Sequence, residues 1–249
     1  MRFLTTLILI LLSYYSYSVE KVNITYYVIE DSAAPFQIVD GVKKKHSGIV
    51  SDILTAIDSE EINLSSKVLP FKRMIKEMNS KGSGAWMSYG SKVWSGPQSD
   101  VLSKNSLITI KHKILTLKKN PYNSIEDLFG KRIAFIRGFQ YPGLERYVKD
   151  KSIDVIRFSS QEAAIRAVEI GRVYGFPEME IRLKYMMKAN KFDEDLFLYN
   201  DISKVIPNYE INFCFSKDFP KATIKKLDNK IQLLKKNGTI KSIIKSYTD

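Results

Sequence analysis

SIEDLFGKRIAFIRG, residues 124–138, contains the beginning of an α/β unit in fifteen residues. Ser124 stands where its hydroxyl can accept an orphan N–H from the first turn of a short helix. Gly130 stops that helix, since glycine adopts the left-handed conformation of a helix end without a Cβ penalty. Arg132 to Ile136 then reads as an apolar strand, and Gly138 opens the turn into the next helix. The same alternation continues downstream. Ile153 to Phe158 is a second strand, and Ser159 with Glu162 forms a capping box for a helix that buries Ala164, Ile165 and Val168 and ends at Gly171. Arg172 to Phe176 is read as the third strand.

The pattern also occurs upstream. Val22, Ile24, Tyr26 and Val28 alternate as a strand over Val22 to Ile29. Ile49, Ile53 and Ile57 recur every four residues as a helical stripe. Leu64 to Leu69 is a second strand, and Pro70 opens a helix carrying Phe71, Met74, Ile75 and Met78. Ala85 to Tyr89 is a third. Two successive βαβαβ units imply two open sheets, each with its own core.

Ile108 to Leu117 joins the two units, and Ile211, Phe213 and Phe215 alternate on the way out of the second. These two segments are the expected hinge. Beyond Pro220, Ile224, Leu227, Ile231 and Leu234 mark an amphipathic helix ending at Gly238, followed by a shorter one with Ile240, Ile243, Ile244 and Tyr247. Both are expected to pack on the first unit. The expected organisation is therefore a signal peptide at 1–18, a discontinuous first lobe of 19–114 plus 214–249, and a second lobe of 115–213.

The signal-peptide expectation rests on Arg2 followed by the apolar run Phe3 to Leu12, which is short of the ~20 residues that span a bilayer. Cleavage is expected after Ser18, giving a periplasmic protein. A single cysteine, Cys214, allows no intrachain disulfide, and it reads as a buried core residue. The formal charge of +12 favours anionic partners. Lysines are dispersed and no nucleic-acid motif accompanies them, so nucleic acid is not expected as a partner. The run Lys43 to Lys45 reads as a solvated turn.

Several further stretches carry a family resemblance. They are Ala34-Pro35-Phe36 with Asp40-Gly41 and Gly48, the 124–133 segment with Gly138, Gly171-Arg172-Val173, and Phe215 to Pro220 with Lys236-Asn237-Gly238-Thr239-Ile240. In order and spacing the chain resembles the extracellular solute-binding proteins of family 3, the periplasmic binders of polar amino acids that serve ABC transporters. The resemblance implies a two-lobed, type II periplasmic-binding-protein fold. It also implies a monomer that closes on a small-molecule ligand, an ABC permease of the inner membrane as partner, and no cofactor.

Open α/β sheets bind ligands beyond the carboxyl ends of their strands, which fixes where to look. In the first lobe these ends supply Asp31, Phe36, Arg73, Tyr89, Lys92 and Trp94. In the second they supply Gly138, Phe139, Tyr141, Ser160 and Glu178. Phe36 is either a stacking wall or a ring packed into its own lobe. Arg73 lies about 200° round the helix from Phe71, off the buried stripe, where it can clamp a carboxylate or remain a solvated charge. The Gly138 to Gly143 turn can offer backbone N–H groups to an anion, or be only a turn. Glu178 and Glu180 can neutralise a ligand amine, one of them facing inward.

Two departures from the family weaken the amino-acid reading. Its binders carry a Thr-x-x-Arg-like element after the third strand, whereas residues 88–97 contain no arginine, so Arg73 or Lys92 must supply the charge. The aspartate of the family's Gly-Arg-Val-Asp run is replaced by Tyr174. Two other classes remain: a cyclohexadienyl dehydratase-like enzyme on the same fold, using Glu178 or Glu180 as acid or base, and a sensor module acting on a separate chain. His46 and His112 belong to no triad or metal set, and no catalytic residue is expected.

Overall fold

The computed structural model describes residues 22–41, 45–57 and 62–249. The expected signal peptide lies outside these residues, as do Lys43 and Lys44. The first lobe begins with strand β1 (Val22–Ile29), the short hairpin β2 (Ile38–Val39) and β3 (His46–Ser47), and helix α1 (Ile49–Ile57). Strand β4 (Ile62–Leu69), helix α2 (Phe71–Met78), and strands β5 (Trp86–Gly90), β6 (Val101–Leu102) and β7 (Ile108–Ile110) follow. The second lobe contains β8 (His112–Leu117), β9 (Arg132–Ile136), α3 (Glu145–Lys149), β10 (Asp154–Phe158), α4 (Gln161–Glu169), β11 (Gly175–Met179), α5 (Glu180–Asn190) and β12 (Phe197–Asp201). Strand β13 (Tyr209–Phe215) returns to the first lobe, where α6 (Lys221–Lys236) and α7 (Thr239–Thr248) complete the chain.

The strands form two separate main sheets, in the orders β4-β1-β5-β13-β6 and β10-β9-β11-β8-β12, with β7 joined to β13. In the first, β4 and β5 run parallel to β1 and β13 runs antiparallel to β5. In the second, β10 and β11 run parallel to β9, while β8 runs antiparallel to β11 and β12 antiparallel to β8. This is the two-lobed, periplasmic-binding-protein-like α/β fold expected from the sequence.

The chain changes sheet at Lys111, because Ile108–Ile110 pair with β13 and His112 begins the second sheet. It returns between Asp201 and Tyr209. His112–Ile114 therefore lie with the second lobe and Tyr209–Phe213 with the first, against the boundaries 114/115 and 213/214 read from the sequence. The apolar run 108–117 hides this change, for Lys111 interrupts it without any turn residue.

Each lobe has its own core. In the first, Ile24, Tyr26, Val28, Ile53, Met87, Phe213 and Phe215 pack with Leu227, Ile231 and Ile240 of the C-terminal helices, so α6 and α7 dock where expected. In the second, strand alternation separates two clusters: Leu115, Ala134 and Ile136 face one side with α4, whereas Ile114, Ile133 and Phe135 face the other. Two local expectations shift by one to three residues. Ser160, not Ser159, caps α4, accepting from Ala163 N at 3.2 Å. The third strand of the second lobe begins at Gly175, since Arg172 N and Val173 N both turn back to Ala167 O. Among the described residues no helix is long and apolar enough to cross a membrane.

Gly90 ends β5 where the chain folds back on itself. A Cβ there would lie 1.8 Å from the Gln98 carbonyl oxygen and 3.1 Å from Cys214 Cβ. Gly90→Ala is expected to lower the unfolding free energy by about 2 kcal/mol, since backbone must move to admit the methyl. Urea denaturation measures this, and an unchanged midpoint would show that the turn yields freely.

Candidate interlobe ligand site

Phe36 is held at the front of the first lobe by the loop after β1. Gln37, almost completely buried, accepts from Ile29 N at 3.0 Å and donates to Tyr27 O at 3.0 Å and Tyr26 Oη at 2.8 Å. The Phe36 carbonyl accepts from Val50 N at 2.9 Å, which ties the loop to the start of α1. Gly48 makes that approach feasible: its φ is +109°, and a Cβ would stand 2.7 Å from Phe36 O. Tyr247 of α7 supports the same corner, accepting from Gly48 N at 2.9 Å and donating to Asp52 Oδ2 at 2.6 Å.

From Phe36 a chain of rings runs to the two chain crossings between the sheets. Tyr89 lies 5.8 Å from Phe36, Trp94 5.8 Å from Tyr89, Tyr209 6.3 Å from Trp94, and His112 5.7 Å from Tyr209. Tyr89 comes from the end of β5, where Gln98 Nε2 donates to its carbonyl oxygen at 2.7 Å. Tyr209 and His112 stand at the two chain crossings, so the ring chain ends where the chain passes between the two sheets.

Arg182, in the first turn and a half of α5, joins the lobes. Its guanidinium lies 5.4 Å from the centre of the Phe36 ring and 5.2 Å from that of Phe139, one ring from each lobe. Its Nη1 is 3.9 Å from Glu178 Oε1, and both side chains are buried. Glu178 Oε1 also accepts from Met179 N at 2.8 Å. Glu178 Oε2, Arg182 Nε and His112 Nδ1 are buried without a hydrogen-bond partner. Buried polar atoms left unpaired are costly, and three in one interlobe cluster point to a place built to meet another molecule.

The electrostatics follow from burial. Burial pushes the Glu178 carboxyl above the usual carboxylate range, and the Arg182 charge opposes that rise. Burial, aided by the same charge, holds His112 down at about 4. Tyr209 is pushed up to about 12 by burial and Tyr89 is raised for the same reason, so both remain neutral hydroxyls.

The remaining expected residues are placed as follows. Tyr141 is buried, stacks on Phe135 at 3.9 Å and accepts from Ile136 N at 2.8 Å; burial, and after it the Glu178 charge, raises its pKa. Thus Phe36, Tyr89, Trp94, Phe139 and Glu178 come together, with Tyr141 beside them. Ser160 serves as the α4 cap. Asp31, Lys92 and Gly138 are exposed. Arg73 is also exposed, its side chain 69% accessible and paired along the helix with Glu77 at 3.7 Å. The Gly138–Gly143 turn leads only to the five-residue α3, which starts at Glu145. Sequence reading missed Arg182, Tyr209 and the ring contact of His112. The i,i+4 spacing of Glu178 and Arg182 was the available signal. Among the described residues no group of three or more His, Cys, Asp and Glu side chains could hold a metal.

No protein-family model matches the chain, and no curated protein is similar to it at a significant level. Solved structures are similar in fold. Substrate-binding domain 2 of GlnP from Lactococcus lactis, in its open conformation, is 20% identical with a TM-score of 0.65, over 92% of this chain and 95% of that one. An ancestral cationic amino acid solute-binding protein is 16% identical with a TM-score of 0.69, over 93% and 97%. A histidine kinase sensor domain with similarity to periplasmic binding proteins is 15% identical with a TM-score of 0.64, over 92% and 96%.

Two measurements test the cluster. His112 folds neutral while the unfolded chain takes up a proton near 6.5, so its contribution to stability is present above that pH and lost as pH falls towards about 4. Thermal melts of His112→Gln should therefore lose less stability than the unsubstituted protein over that interval; parallel curves would show that His112 does not titrate as described. Arg182→Met should destabilise the protein by about 3 kcal/mol by leaving Glu178 alone, and adding Glu178→Gln should restore most of the loss. Additive losses in the double variant would mean that the pair is not coupled.

Proposed function

We propose that this chain is an extracytoplasmic solute-binding protein that closes two lobes around one small, polar, carboxylate-bearing ligand for delivery to an ABC permease. The observation that supports this most is the buried Arg182–Glu178 pair, which sits between rings of opposite lobes with one unpaired donor and one unpaired acceptor. A ligand with a carboxylate and an ammonium would satisfy Arg182 Nε and Glu178 Oε2 together, and the ring chain would cover its apolar part. The amino-acid-binding proteins among the structural neighbours agree with a ligand of that kind. Binding would favour the closed arrangement by as much as the ligand prefers it to the open one. The chain acts as a monomer in this reading, and no residue has a catalytic role.

A second reading rests on the same geometry. A guanidinium held between two rings and a carboxylate also resembles a bound cationic ligand, and on this reading Arg182 occupies the cleft in place of an amine-bearing solute. A thermal-shift screen of the purified protein against amino acids, amines, dicarboxylates and prephenate-like acids separates the two. On the carboxylate reading an acid raises the midpoint, Arg182→Ala weakens it more than tenfold, and Arg73→Ala leaves it unchanged. Stronger binding of an amine by Arg182→Ala would favour the cationic reading. A compound recovered chemically altered would overturn the assignment as a binding protein.

A further inference from the structure

Two adjoining open grooves lie along α5, α6, α7 and the β7 linker, lined by residues distinct from the Arg182 cluster. Their volumes are about 370 Å³ and about 430 Å³, and they share Lys184, Lys235 and Ile244. Ile108, Ile181, Ile240 and Ile244 give them an apolar floor. The rim is cationic: Lys111, Lys184, Lys235, Lys241 and Lys245 stand against Glu180 and Asp249. Both carboxylates are already paired, Glu180 with Lys184 at 3.8 Å and Asp249 with Lys245 at 3.7 Å. Lys235 donates to Ser106 Oγ at 2.9 Å, while Lys111 and Lys241 have no carboxylate at ion-pair distance among the described residues.

The surrounding helices strengthen this charge. Residues 221–249 contain eight lysines against Asp228 and Asp249, and Asp228 is occupied by Asn105 N at 2.9 Å. Such a field favours an anion, but an inorganic anion would leave the exposed parts of Ile181 and Ile244 wet, Ile108 and Ile240 being buried already. An uncharged hydrocarbon would cover the floor and leave the lysines crowded. We infer that the groove is a second ligand site, which takes a free carboxylate with a short hydrocarbon body.

The groove shares its walls with the interlobe cluster. Helix α5 turns Glu180, Ile181 and Lys184 towards the groove, and Arg182 lies about 160° round the helix from Lys184, towards the other lobe. Helix α7 forms the opposite wall and, through Tyr247, holds Gly48 against the Phe36 loop. An occupant bridges elements of both lobes, so its affinity and that of an interlobe ligand change reciprocally. This coupling rests on the interlobe reading above; the groove site does not.

Titration calorimetry of the purified protein with octanoate tests the site without any interlobe ligand. Saturable uptake of one octanoate per chain is expected, weakened by high salt, with phosphate and octanol each binding at least tenfold more weakly. The exposed pair Lys235→Glu and Lys241→Glu should reduce octanoate affinity more than tenfold while the protein still melts cooperatively. Absence of saturable uptake, or equal affinity in that variant, would overturn the site. Cosedimentation with phosphatidylglycerol vesicles in the absence of octanoate uptake would likewise overturn it, in favour of a membrane-facing patch. Altered octanoate affinity in Arg182→Ala would support the coupling, and identical affinity would overturn the coupling alone.

Discussion

Strand β13 is hydrogen-bonded to β7 over its first three residues, to β5 over its last four and to β6 over its last two. One unbroken strand thus belongs both to the linker and to the centre of the first sheet, and its partner β7 runs directly into the second sheet through Lys111. Relative motion of the lobes has to be absorbed where this ladder ends, at Lys111 and in the segment 202–208. Tyr209 and His112 stand at those ends and also terminate the ring chain from Phe36. The residues that would sense closure are therefore fixed to the backbone that would permit it.

The Arg182 cluster opposes two energies of similar size. Taking a carboxylate and a guanidinium out of water costs several kcal/mol per ion, and a 3.9 Å pair with imperfect alignment returns only part of that. Ring contacts on two sides return about 2 kcal/mol or more where water is excluded. The balance leaves the lobes in contact without satisfying every polar atom, an arrangement open to improvement by a ligand with matching groups. The cluster of Tyr26, Gln37, Ser51 and His46 behind Phe36 is different, because its hydrogen bonds are mutually satisfied. It holds the loop; it is not a place of exchange.

Much of the architecture was legible in the sequence because it rests on short-range chemistry. Ser124, Gly130 and the apolar run 132–136 give an unambiguous turn-strand start, and the spacing of Leu227 and Ile231 gives the docking face of α6. The site was only half legible. Rings at strand ends could be read from Phe36, Tyr89 and Trp94, since strand ends face the opposite lobe. Arg182 was missed despite its i,i+4 spacing from Glu178, because β11 begins three residues later than the apolar pattern suggests. That shift places Glu178 inside the strand and moves the next residues onto α5. Arg73 shows the converse: being off the buried stripe of α2 placed it in solvent, and Glu77 one turn later offered it a nearer partner. The sheet change at Lys111 left no local trace, being decided by which distant strand pairs with each half of the run.

Cys214 lies near the end of β13, completely buried, with its thiol pKa raised by that burial. It is the sole cysteine of the chain. An alkylating reagent can reach it only when the first sheet separates, and the second lobe holds no thiol to compete. The rate of its modification is thus a chemical clock for the opening of one lobe alone. Comparing that clock with a global unfolding signal would reveal whether the two lobes melt as a single cooperative body or as two.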